Sequence, residues 1–306
     1  MRLGYNLPQI GQAATPDNLV RASERAEALG YDSVWVTDRL LYPVAPQTPY
    51  GGTPDGSLPE AYKTVLAPVE ALTWAAAHTS RIALGTSVLV MPYYNPVMLA
   101  RRLTTLDVLS GGRLRAGFGQ GWSKDEHDAT GAAMKTRARR ADEFLRVLKA
   151  IWTSDPAEFQ GEFFTLPKST IQPKPVQKPH PPIYLAAFSP GAMKRVATLA
   201  DGWFPVGVPP EGMRQMLEGI RGMAKEAGRN PADIQLIVRA NLVVSDAAMG
   251  EGRWIFSGSL DEIKGDIAAV KDIGADEVHF DPSFSPDGTS IDGFLKRMEQ
   301  MRELAG

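Results

Sequence analysis

The sequence predicts an α/β protein, a (β/α)8 TIM barrel with insertions at its carboxyl-end face, and three observations lead there. Short apolar strands alternate with amphipathic helices from end to end, the pattern of βαβ units around a parallel sheet. Eight strand-helix pairs can be counted, the number that closes such a sheet. The strands run out into Gly, Ser, Thr, Gln and acidic residues, and loops at strand carboxyl ends form the active-site face of a barrel.

The first unit is the clearest. Residues 2–6 read as a strand, and Thr15 with Asp17 opens a helix whose Leu19, Ala22, Ala26 and Leu29 recur at helical spacing before Gly30 stops it. Residues 33–37 form the second strand, ending at Asp38. The third and fourth strands are residues 82–90 and 114–119, the third apolar on both faces as expected of a strand covered on both sides. A helix over 137–152 follows, with Phe144, Leu148, Ile151 and Trp152 on its inner stripe. Residues 183–187 are the fifth strand with a helix over 192–200 behind it, and 202–204 a short sixth. Met213, Met216, Ile220, Met223 and Ala227 stripe the next helix. Strand 234–244, a helix carrying Ile263, Ile267 and Val270, strand 277–281 and a helix through Phe294, Met298 and Met301 complete the barrel.

Two segments exceed a minimal barrel. Residues 40–67, rich in Pro, Gly and Tyr, form a long loop on the active-site face, where such loops act as lids or substrate walls; Tyr42, Tyr50 and Tyr62 give it something to bury. Residues 158–182 predict a short hairpin and a stiff Pro-rich lead-in. No repeat or linker divides residues 1–306, which read as one domain.

With 33 basic and 35 acidic residues the net charge is -2, so no global field draws in nucleic acid or an anionic membrane. The absence of cysteine excludes disulfides and thiolate chemistry, and the four histidines have no metal-ligand spacing, so no metal is expected. The segment MRLGYNLPQIGQ lacks the features of a signal peptide, and a cytoplasmic protein is expected.

The segments VWVTDRLL, RIALGTSVLVMPYYNP, LDVLSGGRLRAGFGQGW, PKPVQKPHPPIYLAA and ATLADGWF, in this order, resemble the bacterial luciferase-like superfamily of barrel oxidoreductases. Within it the chain is most similar to the branch that uses the deazaflavin coenzyme F420. The resemblance runs through the first two thirds of the chain; beyond Pro209 it is only to a generic barrel end.

The resemblance implies a third strand that bulges at Ser87 and Val88, often around a non-prolyl cis peptide, with the Val side chain backing the tricyclic ring. It places Asp38 near the polar edge of that ring and Gln120, Gly121 and Asp125 beside the cofactor. Phe188, Ser189, Gly191 and Ala192, at a helix start, would hold its phosphate, where exposed N–H groups suit an anion. GFGQG is not a dinucleotide fingerprint, since it lacks G-x-G-x-x-G.

Two departures matter. Arg39 stands where many relatives have His, and a guanidinium does not titrate usefully. Trp122 stands where some relatives place a proton-donating Glu, which favours an aromatic wall for an apolar substrate. Arg39, Tyr42 and Trp122 are therefore assigned to the substrate pocket, and Asp125, Glu126 and His127 are the candidate proton donors. The resemblance implies hydride transfer between coenzyme F420 and a small organic substrate, in a homodimer. The alternatives are an FMN-dependent monooxygenase using reduced flavin and oxygen, and a non-catalytic F420-binding carrier.

Overall fold

A computed structural model describes residues 1–306. Its eight barrel strands are β1 (Arg2–Asn6), β2 (Ser33–Val36), β3 (Ala83–Thr86), β4 (Leu114–Gly119), β5 (Ile183–Leu185), β6 (Gly202–Trp203), β7 (Gln235–Asn241) and β8 (Glu277–Asp281). Every neighbouring pair is parallel, and β8 pairs with β1 through Leu3 opposite Val278, so the sheet closes on itself as the strand count predicts.

Nine helices surround it: α1 (Pro16–Ala28), α2 (Pro68–Ala77), α3 (Pro96–Leu109), α4 (Lys124–Thr130), α5 (Arg137–Thr153), α6 (Pro190–Leu199), α7 (Pro210–Glu226), α8 (Leu260–Asp272) and α9 (Ile291–Ala305). Their starts follow from local chemistry. Thr15, Asn95, Ser189, Ser259 and Ser290 accept a hydrogen bond from a first-turn N–H, and Ser259 with Glu262 completes a reciprocal capping box. The main apolar core lies between helices and strands, where outward residues such as Tyr5, Leu84, Phe118 and Phe280 meet Leu72, Phe144 and Phe294.

The barrel interior is filled by aromatic rings that glycines admit. A Cβ on Gly85 would overlap the Trp35 ring, and one on Gly4 would lie 2.6 Å from its indole nitrogen. His279 stacks between Trp35 and Phe204, with centroids 5.0 and 5.2 Å away. Below them the buried Glu277 carboxylate is matched by Arg115 and Arg2 and accepts from Ser33 and the Trp35 indole. The lower barrel is thus closed, and chemistry is confined to the mouth.

Two strands are shorter than the sequence predicts, the third breaking where the resemblance implies a bulge and a cis peptide, and one helix goes unpredicted. The third strand is interrupted: β3 stops at Thr86, and Leu89–Val90 resumes pairing with β4 alone. At the break the Thr86 hydroxyl donates to the Gly117 carbonyl and accepts its N–H, both at 2.8 Å, replacing ladder bonds. The Ser87–Val88 peptide between the two parts is cis. The seventh strand likewise ends at Asn241, and Val243–Val244 pairs with Ser257–Gly258 in a separate ladder. Finally, α4 is a helix that the sequence does not announce, because seven mostly polar residues carry no apolar stripe.

Residues 158–182 include the expected hairpin, with Ala157–Gln160 antiparallel to Thr165–Ser169. The 40–67 segment holds only one 3-10 turn, Glu60–Lys63. No helix is long and apolar enough to cross a membrane.

Candidate active site

The carboxyl end of β2 supplies the one carboxyl that is both deep in the mouth and only half engaged. One Asp38 oxygen accepts from the Val90 N–H at 2.9 Å and the Tyr94 hydroxyl at 3.0 Å. The other oxygen has no protein partner. Burial raises the Asp38 pKa to about 6; the bonds from Val90 and Tyr94 oppose the rise, and the nearby Glu126 charge adds to it. Surrounded by protein yet partly open to the mouth, this carboxyl can exchange a proton near neutral pH.

Val88 is half-buried, while Trp35, Tyr184, Phe204 and Ile237 behind it are fully buried. Its methyl groups lie over β4 at Gly119, where an added Cβ would come within 2.7 Å of Val88 Cγ2. Ser87, beside it, is buried and tied to strands that sequence reasoning does not assign to the site. Arg239 Nη1 donates to the Ser87 carbonyl at 2.5 Å and lies 3.1 Å from its hydroxyl, and His279 Nε2 is 3.2 Å from that hydroxyl. Arg239 is held by the Asp281 carboxylate and, through Nε, by Asn241 at 3.0 Å. Burial, with Arg239 nearby, pushes the His279 pKa well below its usual value, so the ring is neutral. A signal for these residues exists in the chain: Arg239, Asn241, Glu277, His279 and Asp281 recur every second residue in apolar strands, so all face the interior.

Gly121 has φ +73, and a Cβ there would meet Val90 Cγ1 at 2.8 Å. Both ring nitrogens of buried His127 face carbonyls, Nδ1 2.9 Å from that of Ala132 and Nε2 3.3 Å from that of Gln120, so a neutral ring donates to one of the two at a time. Glu126 is fully buried and fully occupied. It pairs with Arg39 at 2.8 Å, accepts the Leu40 N–H at 2.7 Å and the Leu41 N–H at 3.3 Å, and takes the Tyr93 hydroxyl. Asp125 points to the 40–67 loop, accepting the Gln47 N–H at 3.0 Å and its side-chain amide at 3.2 Å. All three candidate proton donors on α4 thus have bonds that position protein, and Asp38 has the freer oxygen.

Arg39 lies 4.7 Å from the Trp122 ring centroid and 5.4 Å from that of Tyr62. Tyr50 sits against Tyr62 and Trp122, and Tyr62 against Phe284, forming an aromatic roof that joins the loops after β2, β4 and β8. Tyr42 is at its edge, with its hydroxyl 3.3 Å from the Leu58 carbonyl.

At the start of α6, Ser189 caps the helix with its Oγ 3.4 Å from the Ala192 N–H, Gly191 has open space where a side chain would be, and Phe188 is 52% exposed. Pro190 at the first helical position has no N–H of its own, and the Gly191 N–H in the first turn has no partner within the helix. No direct contact joins this cluster to Asp38 or Ser87; the two are linked through β4 and β5, which pair in register. A separate apolar cleft of about 280 Å3 between α1 and α2, lined by Leu19, Leu66 and Trp74, lies on the outer surface and has no titratable cluster.

The luciferase-like monooxygenase family matches over residues 1–251. An uncharacterised protein of Mycobacterium tuberculosis is 38% identical over 205 residues, covering 66% of this chain and 71% of its own. The F420-dependent glucose-6-phosphate dehydrogenase of Kineococcus radiotolerans is 31% identical over 249 residues, 79% of this chain and 68% of that protein. The FMNH2-dependent dimethylsulfone monooxygenase of Pseudomonas putida is 32% identical over 215 residues, 69% and 57% respectively. Among solved structures, the monooxygenase RslO1 from Streptomyces bottropensis superposes with a TM-score of 0.79 at 22% identity, covering 99% of this chain and 98% of its own. An F420-dependent secondary alcohol dehydrogenase superposes at 0.77 and 18% identity, covering 100% and 99%. At these identities the superpositions speak to fold.

Proposed function

This chain belongs to the luciferase-like monooxygenase family, and from that premise we propose that it is an oxidoreductase passing a hydride between coenzyme F420 and a small organic substrate. The family includes both F420-dependent and FMN-dependent relatives. The observation that carries the deazaflavin reading is Asp38: moving a hydride to or from a carbon that bears oxygen also requires a proton, and this carboxyl has a pKa near 6 and one unengaged oxygen at the mouth.

The residues present fit a flat heterocycle with a phosphate tail. Val88 would back the ring, as an apolar surface left half-open in a buried wall. Ser87 would be held in place by Arg239 and His279, and Gln120 and Gly121 would border the ring with main chain. Ser189, with the Gly191 N–H and the adjoining Phe188 and Ala192, would take the phosphate at the positive end of α6, the Ser189 hydroxyl proton remaining free to donate while its oxygen caps Ala192. When bound, the cofactor supplies the hydride chemistry at its ring. The chain's own part is to orient the ring, exclude water beneath Tyr50, Tyr62 and Trp122, and move a proton at Asp38. Asp125, Glu126 and His127 would support this by anchoring the lid and the Gln120 carbonyl.

An FMN-dependent monooxygenase is the second reading, favoured by the Pseudomonas putida relative. The test is an anaerobic screen of small organic compounds against the protein loaded with coenzyme F420, following the deazaflavin absorbance. Compounds that change it should do so at least a hundredfold more slowly in Asp38→Asn, with cofactor affinity within threefold of wild type. Turnover only with reduced FMN and oxygen would overturn the proposal. Tight deazaflavin binding with no redox change by any compound would replace it with a carrier role.

A further inference from the structure

Asn6 Oδ1, Thr37 Oγ1 and Ser283 Oγ, on residues only 1%, 5% and 6% exposed, are buried at the barrel mouth without a hydrogen-bond partner in the protein; nearby, His279 Nδ1 and Arg39 Nη2 also lack one, although Arg39 Nη2 is 2.8 Å from the Glu126 carboxylate. The first three are neighbours by topology. Asn6 ends β1, Thr37 follows β2 directly and Ser283 follows β8 by two residues, and β1 lies between β8 and β2 in the sheet. All three face inward. Gly4 and Trp35 face the interior, and Asn6 and Thr37 are two residues further along the same strands. Ser283 turns back on β8, its N–H bonding to Asp281 Oδ1 at 3.0 Å.

Leaving a buried polar group unmatched costs free energy, so three together at one mouth mark a place where a ligand completes the bonding. The chemistry of that ligand can be read from the surroundings. An amide oxygen accepts, and two hydroxyls both donate and accept, which matches a hydroxyl group. Every neighbouring charge except one is already matched: Arg239 by Asp281, and Arg39 by Glu126. The exception is Asp38, which repels anions when ionised. Above lies the aromatic roof of Tyr50, Tyr62, Trp122 and Phe284.

We propose that the mouth between β1, β2 and β8 binds an uncharged small molecule carrying a hydroxyl group on an apolar or aromatic body, with Asn6, Thr37 and Ser283 taking the hydroxyl. The proposal deepens the oxidoreductase reading by giving its substrate class, and it rests on that reading only in calling the ligand a substrate. Sugar phosphates and carboxylates fit less well, since Arg39 and Arg239 are each already paired with a carboxylate and Asp38 adds negative charge. The half of the mouth around Val88 and Gly119 is left to the cofactor.

The test uses the full-length protein, with and without cofactor, and three probes: benzyl alcohol, toluene and benzyl phosphate. Calorimetry should find benzyl alcohol bound at least tenfold more tightly than toluene, with benzyl phosphate unbound. A site built around a substrate hydroxyl rejects the analogue that lacks it. In Thr37→Val with Ser283→Ala, benzyl alcohol should lose at least tenfold in affinity while toluene does not weaken. The melting temperature should hold or rise, because unmatched buried groups have been removed. Equal affinity for alcohol and toluene, preference for the phosphate, no probe bound, or a destabilised variant that keeps its alcohol affinity would each overturn the proposal. Failure to bind coenzyme F420 or FMN would sink the oxidoreductase reading, while the probe affinities would still decide the hydroxyl site independently.

Discussion

The Arg39 guanidinium meets the Glu126 carboxylate at 2.8 Å with 5% and 1% of the two side chains exposed, which makes the pair a rivet between the end of β2 and α4. Because Glu126 also accepts the Leu40 and Leu41 N–H groups, it fixes the root of the 40–67 loop. Removing one partner of a buried pair leaves a desolvated charge, at a cost of about 3 to 5 kcal/mol. Glu126→Ala should lose that much in chemical denaturation, and Glu126→Gln, which still accepts the N–H bonds, should lose less. A loss below about 1 kcal/mol for Glu126→Ala, within the range of an exposed pair, would contradict this role.

Asp38 gives stability a pH dependence of known sign. Its folded pKa of about 6 lies above the ordinary carboxyl range, so the folded state holds the proton more tightly than the unfolded chain. The favourable contribution is complete below about pH 4 and is lost as pH rises through about 6. Asp38→Asn removes this dependence. The variant should gain about 2 to 3 kcal/mol relative to wild type between pH 4 and pH 8, measured by urea unfolding at both. An equal difference at the two pH values would refute the assignment.

Arg239 holds the Ser87 carbonyl and hydroxyl, and through them would position the proposed cofactor. Arg239→Lys keeps the charge beside Asp281 but cannot make the same set of planar bonds. Cofactor affinity should fall at least tenfold with the circular dichroism spectrum unchanged. Wild-type affinity in a variant whose crystal structure shows Lys reaching neither Ser87 atom would remove Arg239 from this role.

Ser189→Glu puts a negative charge at the start of α6, where a phosphate would lie. Affinity for the cofactor should fall at least tenfold, about 1.4 kcal/mol, while affinity for a phosphate-free ring fragment stays unchanged. Equal loss for both ligands would place the phosphate elsewhere. Gly121→Val is a poorer probe, because its positive φ and the closeness of Val90 Cγ1 would strain the fold itself.

The barrel is legible in the sequence because strand and helix periods alternate cleanly and because the caps are written locally, as Thr15 and Ser189 illustrate. The break of the third strand is legible only by resemblance, since nothing in the apolar run around Val88 signals where the ladder stops. Asp38 stands out for its place, but its half-engaged carboxyl depends on Val90 and Tyr94, more than 50 residues away. Arg39 and Tyr93, the partners that occupy Glu126, are likewise distant in the chain and cannot be read from its neighbours. Arg239, His279 and Asp281 are the avoidable omission, for charged residues alternating inward along apolar strands announce a polar barrel interior.

The central claim is that Val88 and the start of α6 hold a deazaflavin rather than a flavin. Fluorescence titration of the full-length protein with coenzyme F420 and with FMN tests it most directly. Coenzyme F420 should bind at micromolar or tighter affinity, with FMN at least tenfold weaker. Sub-micromolar binding of FMN with none of coenzyme F420 would contradict it.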